Sequence, residues 1–218
     1  MKNLKINNFV YLLVFFSAIA WFVLSFATGQ SLSNAQSFFK MIPNVVTIDL
    51  LVIFVFTKWL WKFRIFKGWL VPFPNLNGTW IGQIKSDWIN PESGQSIPAI
   101  PVMLTIKQSL LSLSCVMCTG EMKSHSFSEG LYIDSEKQIK QMAYLYTSKP
   151  RITLNQRSLP HDGAIIFDII ESPSKKLIGR YWTERKTTGE ITLEFSCENL
   201  LEVLPSGLGP HPVTIANE

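Results

Sequence analysis

The fold class this sequence predicts is an N-terminal two-helix transmembrane hairpin followed by an all-β domain, an eight-stranded antiparallel up-and-down β-barrel. Three observations predict it. Nineteen consecutive residues from Phe9 to Ala27 carry no charge, and a second apolar run extends from Met41 to Trp61. After Val71-Pro72-Phe73-Pro74 the texture changes from continuous apolar stretches to short alternating runs separated by turn residues. Composition agrees: 218 residues that are 47% hydrophobic exceed what one soluble core of this size needs, and the excess sits at the front.

The first run, at about 1.5 Å per helical residue, reaches roughly 28 Å, close to the thickness of the hydrocarbon core. Lys2 and Lys5 before it, and Ser25-Phe26-Ala27 near its end, give it some likeness to a secretory signal. A signal's apolar region is shorter, about 7–15 residues, and is not followed by a second such segment, so a span is expected. Helices are placed at about 9–27 and 43–61, the second starting after Pro43, with the polar stretch Thr28 to Ile42 as the hairpin loop.

Lys58, Lys62, Arg64 and Lys67 follow the second run, and Lys2 and Lys5 precede the first. Cations are retained on the cytoplasmic side, which puts both termini in the cytoplasm and the hairpin loop outside, the membrane being crossed twice. Trp59, Trp61 and Trp69 fit the headgroup region, and the basic cluster suits anionic lipid. Asp49 breaks the apolar rule; a charge at the bilayer centre costs about 2.5–3.5 kcal/mol, so it faces a partner or water, or lies near enough to the interface to stay hydrated. Lys58 can snorkel.

The segments therefore divide as 1–70, the helix hairpin; 75–204, the barrel; and 205–218, a C-terminal tail. Strands are read at Gly78–Trp88, Ala99–Lys107, Leu111–Thr119, Ser124–Ile133, Ile139–Thr147, Gly163–Glu171, Lys176–Arg185 and Glu190–Ser196. Turn signals such as Asn90-Pro91-Glu92-Ser93-Gly94, His161-Asp162-Gly163 and Thr187-Thr188-Gly189 separate them. Eight short antiparallel strands close into a barrel with room inside for side chains or one small ligand, a two-sheet sandwich being the alternative.

Alternation shows what each face is made of. Ile191, Leu193 and Phe195 oppose Thr192, Glu194 and Ser196, a clean inside and outside. Three other faces are more polar: Leu177, Gly179, Tyr181, Thr183 and Arg185; Ser124, Ser126 and Ser128; and Met142, Tyr144 and Tyr146. Turned inward they make a polar lining, which is costly without partners and points to a ligand or ordered water; turned outward they are ordinary surface.

A formal charge of +4 raises the question of nucleic acid, but the cations are dispersed and flank the apolar segments, so neither DNA nor RNA is expected as a partner. Cys115, Cys118 and Cys197 leave one cysteine unpaired in any disulfide scheme and fit a reducing compartment. Cys115-x-x-Cys118 invites zinc, with His125, His161 or Cys197 completing the set, yet residues three apart on a strand point to opposite faces. Without a phosphate-binding glycine loop or a nucleophile elbow, no catalytic residue, metal or cofactor is expected.

Five motifs stand in order behind the hairpin. They are Leu76-Asn77-Gly78-Thr79-Trp80-x-Gly82; Ser124, Ser126 and Ser128 after Thr119-Gly120; Tyr144-x-Tyr146; His161-x-Gly163; and Leu177-x-Gly179-x-Tyr181-Trp182-Thr183-x-Arg185 with Gly189. Together they resemble the two-transmembrane, β-strand-rich effectors of CBASS antiphage defence, the SMODS-associated family, over nearly the whole chain up to Pro205. The resemblance implies a lipocalin-like barrel that binds a cyclic oligonucleotide, a cyclic dinucleotide foremost, made by a partner CD-NTase. It also implies homo-oligomerisation on activation and disruption of the lipid bilayer, leading to abortive infection.

Such a ligand presents two phosphates and two flat bases, so its site needs cations or hydroxyls and aromatic faces. Arg185 is the candidate phosphate partner, since its fork can bond two oxygens at once, although it could instead pair with Glu184 or Glu190 at the surface. Thr119, Ser124, Ser126, Ser128 and Thr183 are candidate hydroxyl donors. Tyr144, Tyr146, Tyr181 and Trp80 are candidate stacking surfaces, with Trp80 equally suited to plugging one end of the barrel. A membrane-anchored barrel carrying an apolar small molecule, lined by Met103, Met117 and Met142, is the rival, and a packed scaffolding barrel a third possibility.

Overall fold

The computed structural model describes residues 6–29, 34–90, 94–152, 159–209 and 211–212, which fall into two compact units. One holds residues 6–74 with 109–111, and the other holds 75–108 and the chain from 112 onward.

The first unit is built on two helices, α1 (Ile6–Thr28) and α2 (Ala35–Lys58), both long and apolar enough to cross a membrane. They run antiparallel, with Phe9 of α1 set edge-on against Phe56 of α2 at a ring separation of 5.6 Å. α2 begins at Ala35 instead of near Pro43 because Asn34 caps it: the Asn34 Oδ1 accepts a hydrogen bond from the Gln36 amide at 3.0 Å. Pro43 lies inside the helix, and Thr47 Oγ1 donates to its carbonyl at 2.8 Å. The polar stretch before Pro43 therefore contributes the first turns of α2. Short 3-10 turns at Leu60–Lys62 and Arg64–Phe66 end the helical run.

Asp49 turns toward α1, where Ser17 Oγ donates to its Oδ2 at 2.7 Å while also reaching the Leu13 carbonyl at 2.9 Å. The other carboxylate oxygen is buried and has no hydrogen-bond partner among the described residues. Of the options open to a carboxyl in so apolar a segment, the chain uses a hydroxyl partner on the neighbouring helix.

The second unit is a closed barrel of eight antiparallel strands in chain order: β1 (Gly78–Ser86), β2 (Ile100–Gln108), β3 (Leu113–Thr119), β4 (Met122–Asp134), β5 (Ile139–Pro150), β6 (His161–Ile170), β7 (Lys176–Thr183) and β8 (Thr188–Cys197). Each strand pairs with its chain neighbour, and β8 returns to β1 in register Ile81↔Glu194 and Ile84↔Ile191. Both the two-helix hairpin and the closed barrel expected from the sequence are present.

The interior is filled by alternate residues, as the period of two requires. Val102, Leu104 and Ile106 of β2, Met142 and Tyr144 of β5, Ile165 and Phe167 of β6, Leu177 of β7, and Ile191 and Leu193 of β8 are all buried. The end where β1 begins is sealed by Trp80, 1% exposed, whose Nε1 donates to the Leu76 carbonyl at 2.9 Å and whose ring meets Phe195 edge-on at 5.2 Å. Gln108 pins the strand's approach by accepting from the Leu76 amide at 2.7 Å, while Asn77 Oδ1 accepts from the Gln108 amide at 2.9 Å. The packed floor leaves space only toward the opposite end.

Candidate functional site

At that opposite end, where β1, β3, β5 and β7 finish, the barrel encloses a cavity of about 170 Å³. Its upper wall is polar: Thr119 from β3, Ser124 from β4, Ser148 and Tyr146 from β5, His161 from β6, Tyr181 and Thr183 from β7, and Thr187 from the turn that follows. Its lower wall is apolar, formed by Ile84, Ile100, Met117, Ile165 and Ile191.

The hydroxyls are held by one another and by the backbone. Tyr181 Oη donates to Ser86 Oγ at 2.9 Å, and the Thr183 and Thr187 hydroxyls lie 2.7 Å apart. Thr119 Oγ1 accepts from the Met122 amide at 3.1 Å, tightening the β3–β4 turn. Among the described residues Ser124 Oγ reaches the Met117 carbonyl alone, at 3.5 Å, and so keeps most of its hydrogen-bonding capacity for whatever enters. Gly163 allows Tyr146 to lie flat against β6, because a Cβ there would stand 2.5 Å from the Tyr146 hydroxyl.

Burial pushes the phenols of Tyr146 and Tyr181 up, so both remain neutral donors at physiological pH. Burial, and then the Arg185 guanidinium, hold His161 below its ordinary value, which keeps that ring neutral and able both to donate and to accept. His161 also meets Tyr146 edge-on at 6.3 Å. Arg185 lies in the β7–β8 turn, exposed, at the cavity rim beside His161. Two aromatic faces, several hydroxyls, a neutral imidazole and a rim guanidinium thus surround one opening.

Six of the ten residues singled out from the sequence gather here: Thr119, Ser124, Tyr146, Tyr181 and Thr183 line the cavity, and Arg185 stands at its edge. The other four lie elsewhere. Trp80 closes the far end of the barrel, the plug role open to it. Tyr144 sits one step deeper than Tyr146, buried against Phe167, with no hydrogen-bond partner for its hydroxyl among the described residues. Ser126 accepts from the Cys115 amide at 2.8 Å and donates to Glu129 inside the wall.

Ser128 faces solvent, because the β4–β5 register shifts between Ser126 and Ser128. Ser126 stands opposite Tyr146 and Ser128 opposite the outward-facing Leu145, so the extra residue Phe127 reverses the phase of the strand. The expected Ser124-Ser126-Ser128 face is therefore split by a bulge. Of the methionines proposed for an apolar lining, Met117 reaches the cavity and Met142 lies deep in the barrel, whereas Met103 occupies the opposite face of β2 from Val102 and Leu104.

Residues outside the sequence-based set also contribute. Ser148 continues the Met142, Tyr144, Tyr146 alternation by one step, and β5 runs on to Pro150 where the sequence was read as turning at Thr147. His161 opens β6 two positions before Gly163, on the same face. His211, from the tail, is buried at the mouth; nothing in the tail's composition marked it.

Residues 71–194 match the family described as Cap15, cyclic dinucleotide receptor domain, which covers more than half of the chain. The chain belongs to this family. It is also 22% identical, over 192 residues, to CD-NTase-associated protein 15 of Staphylococcus schleiferi, a match covering 88% of this chain and 98% of that protein. The family match includes every strand of the barrel up to Glu194, and the similarity to the staphylococcal protein runs well beyond the barrel alone. The likeness to CBASS two-transmembrane effectors thus rests on more than five short motifs. His211 lies outside the matched segment.

Proposed function

We propose that this chain is a ligand-gated membrane effector of antiphage defence: its barrel binds a cyclic dinucleotide released by a partner CD-NTase, and ligand-bound copies associate and disrupt the inner membrane. The supporting observation is the open end of the barrel, where Thr119, Ser124, Ser148 and Thr183 offer hydroxyls, Tyr146 and Tyr181 offer ring faces, and Arg185 stands at the rim, in a chain of the cyclic dinucleotide receptor family.

In this account the hydroxyls and Arg185 receive phosphate oxygens, and the tyrosine rings receive the bases. The site works by binding, not by chemistry: no bond of the ligand need be broken. Both termini are cytoplasmic, which places the barrel where a nucleotide messenger is made. Ligand can drive assembly only by binding the associated form more tightly than the single copy, so a differential affinity is required and not merely occupancy. Gathering the barrels would gather the α1–α2 hairpins, and the membrane is breached by helices alone.

The test is titration of the detergent-solubilised chain with cyclic di- and trinucleotides, following heat by calorimetry and mass by light scattering. Tight binding of one cyclic dinucleotide with a rise in mass is the expected result. Binding none of them while taking up apolar probes such as fatty acids would replace the proposal with a carrier of small apolar molecules, using the Met117 and isoleucine floor.

A further inference from the structure

The C-terminal segment is a strap. After β8 it is fixed to the outer wall near the Trp80 end: Thr79 Oγ1 donates to the Asn199 carbonyl at 2.6 Å and accepts from the Leu201 amide at 3.0 Å, and Thr105 Oγ1 donates to the Leu201 carbonyl at 2.7 Å. Glu202 to Leu204 then lie alongside Cys118, Thr119 and Lys149, and a 3-10 turn follows at Ser206–Leu208. Beyond it, His211 stands in the cavity mouth.

His211 is pinned there. Its Nδ1 lies 3.2 Å from Glu121 Oε1 in the β3–β4 turn, and the two side chains are only 9% and 7% exposed. The preceding residue, Gly120, permits the approach: a Cβ on it would stand 3.0 Å from His211 Cβ and 3.1 Å from the His211 amide nitrogen. A hydrogen bond between an imidazole and a carboxylate, out of water, is among the stronger contacts a surface segment can make.

The cavity beneath is too small for the ligand proposed above. Drug-sized ligands occupy pockets of about 300–1,000 Å³, and a cyclic dinucleotide, with two bases, two riboses and two phosphates, is larger than most of them. The space is about 170 Å³, and His211 is part of its wall. We propose that the tail is an autoinhibitory plug, held by the Glu121–His211 contact, which a cyclic dinucleotide must displace to occupy the barrel. This rests on the functional assignment above. The plug sets the threshold concentration of messenger, and its displacement changes the surface at the mouth at the moment of binding.

The experiment compares the full chain with His211→Ala, Glu121→Gln and a chain ending at Leu208, each in detergent, against cyclic dinucleotides carrying adenine, guanine or uracil. Loss of one charge-assisted hydrogen bond that opposes binding should tighten affinity roughly tenfold in His211→Ala and in the shortened chain, and by less in Glu121→Gln. In the unmodified chain, ligand should speed hydrogen exchange at Ser206 to Leu208 and at His211. Equal affinity in all forms, or weaker binding in His211→Ala, would overturn the plug while leaving nucleotide sensing intact. Should Glu121→Gln fail to fold, the other two forms still decide. Absence of binding in every form would remove the functional assignment and the plug together.

Discussion

Replacing Gly163 with alanine tests whether the cavity wall is built as described. An added Cβ would stand 2.5 Å from the Tyr146 hydroxyl oxygen, 2.6 Å from its Cζ and 2.7 Å from the Trp182 carbonyl oxygen. Ordinary contact begins near 3.4 Å, so the ring must retreat by about 1 Å, and the Trp182 carbonyl, tied into the β6–β7 ladder, has little room to follow. Overpacking of this kind costs about 1–3 kcal/mol. For a barrel of this size that corresponds to a fall of about 4–12 °C in unfolding temperature. The displaced ring loses its position at the cavity wall, and loss of one stacking partner weakens nucleotide binding by about 1–3 kcal/mol, roughly fivefold to 150-fold. Near-ultraviolet circular dichroism in detergent reads the first effect and calorimetry the second. An unfolding temperature within about 1 °C of the parent, together with unchanged affinity, would refute the packing argument and the placement of Tyr146 at once.

Arg185→Ala should abolish the nucleotide response while leaving the unfolding temperature within about 1 °C, because the residue is exposed in a turn; retained ligand-induced assembly would remove it from the site. His161 gives a pH dependence. Its folded-state value is lowered, first by burial and then by Arg185, with Glu184 and Asp162 opposing. Its contribution to stability is therefore present above the unfolded value of about 6.5 and lost as pH falls below it. A phosphate beside the ring favours the protonated form, so binding should take up a proton and tighten between about pH 8 and pH 6, an effect absent in His161→Gln; calorimetry in buffers of different ionisation enthalpy measures the proton directly. In the helical unit, Ser17→Ala should lower stability in micelles by about 1–3 kcal/mol, since it strips the one hydroxyl from a carboxylate whose other oxygen is already unpaired. Asp49→Leu should cost less than Ser17→Ala, and the reverse order would show that the pair is not isolated from water.

The sequence carried most of the architecture because each element repeats a simple rule. Charge-free length marked α1, and alternation marked all eight strands, displaced by no more than about three residues from their observed ends. Misplaced boundaries have local causes. Asn34 capping a helix looks the same in sequence as an Asn in a polar loop, so α2 was read as starting late. The site was legible wherever alternation continued unbroken, as in Tyr181 and Thr183, and failed where it did not. Phe127 is an apolar residue in a strand like many others, and nothing in its identity announces the register shift that turns Ser128 outward. Arg185 shares a phase with Tyr181 and Thr183, yet β7 stops at Thr183, so the guanidinium lies on the turn at the rim. His211 was invisible for a different reason: its partner Glu121 is ninety residues away in the chain, and no periodic pattern links a tail to a turn.

The seam between β8 and β1 has a consequence for how copies of the chain can meet. Every strand of the barrel has a neighbour on both sides, but β4 outruns β3: their ladder covers Lys123 to His125, so among the described residues Ser126 to Asp134 are laddered to β5 and not to β3. Strand laid on strand is closed to the rest of the wall, and that stretch of β4 is where a further strand could add. In the assembly proposed above, copies would therefore meet either through side chains on the closed wall or along that one open run of β4.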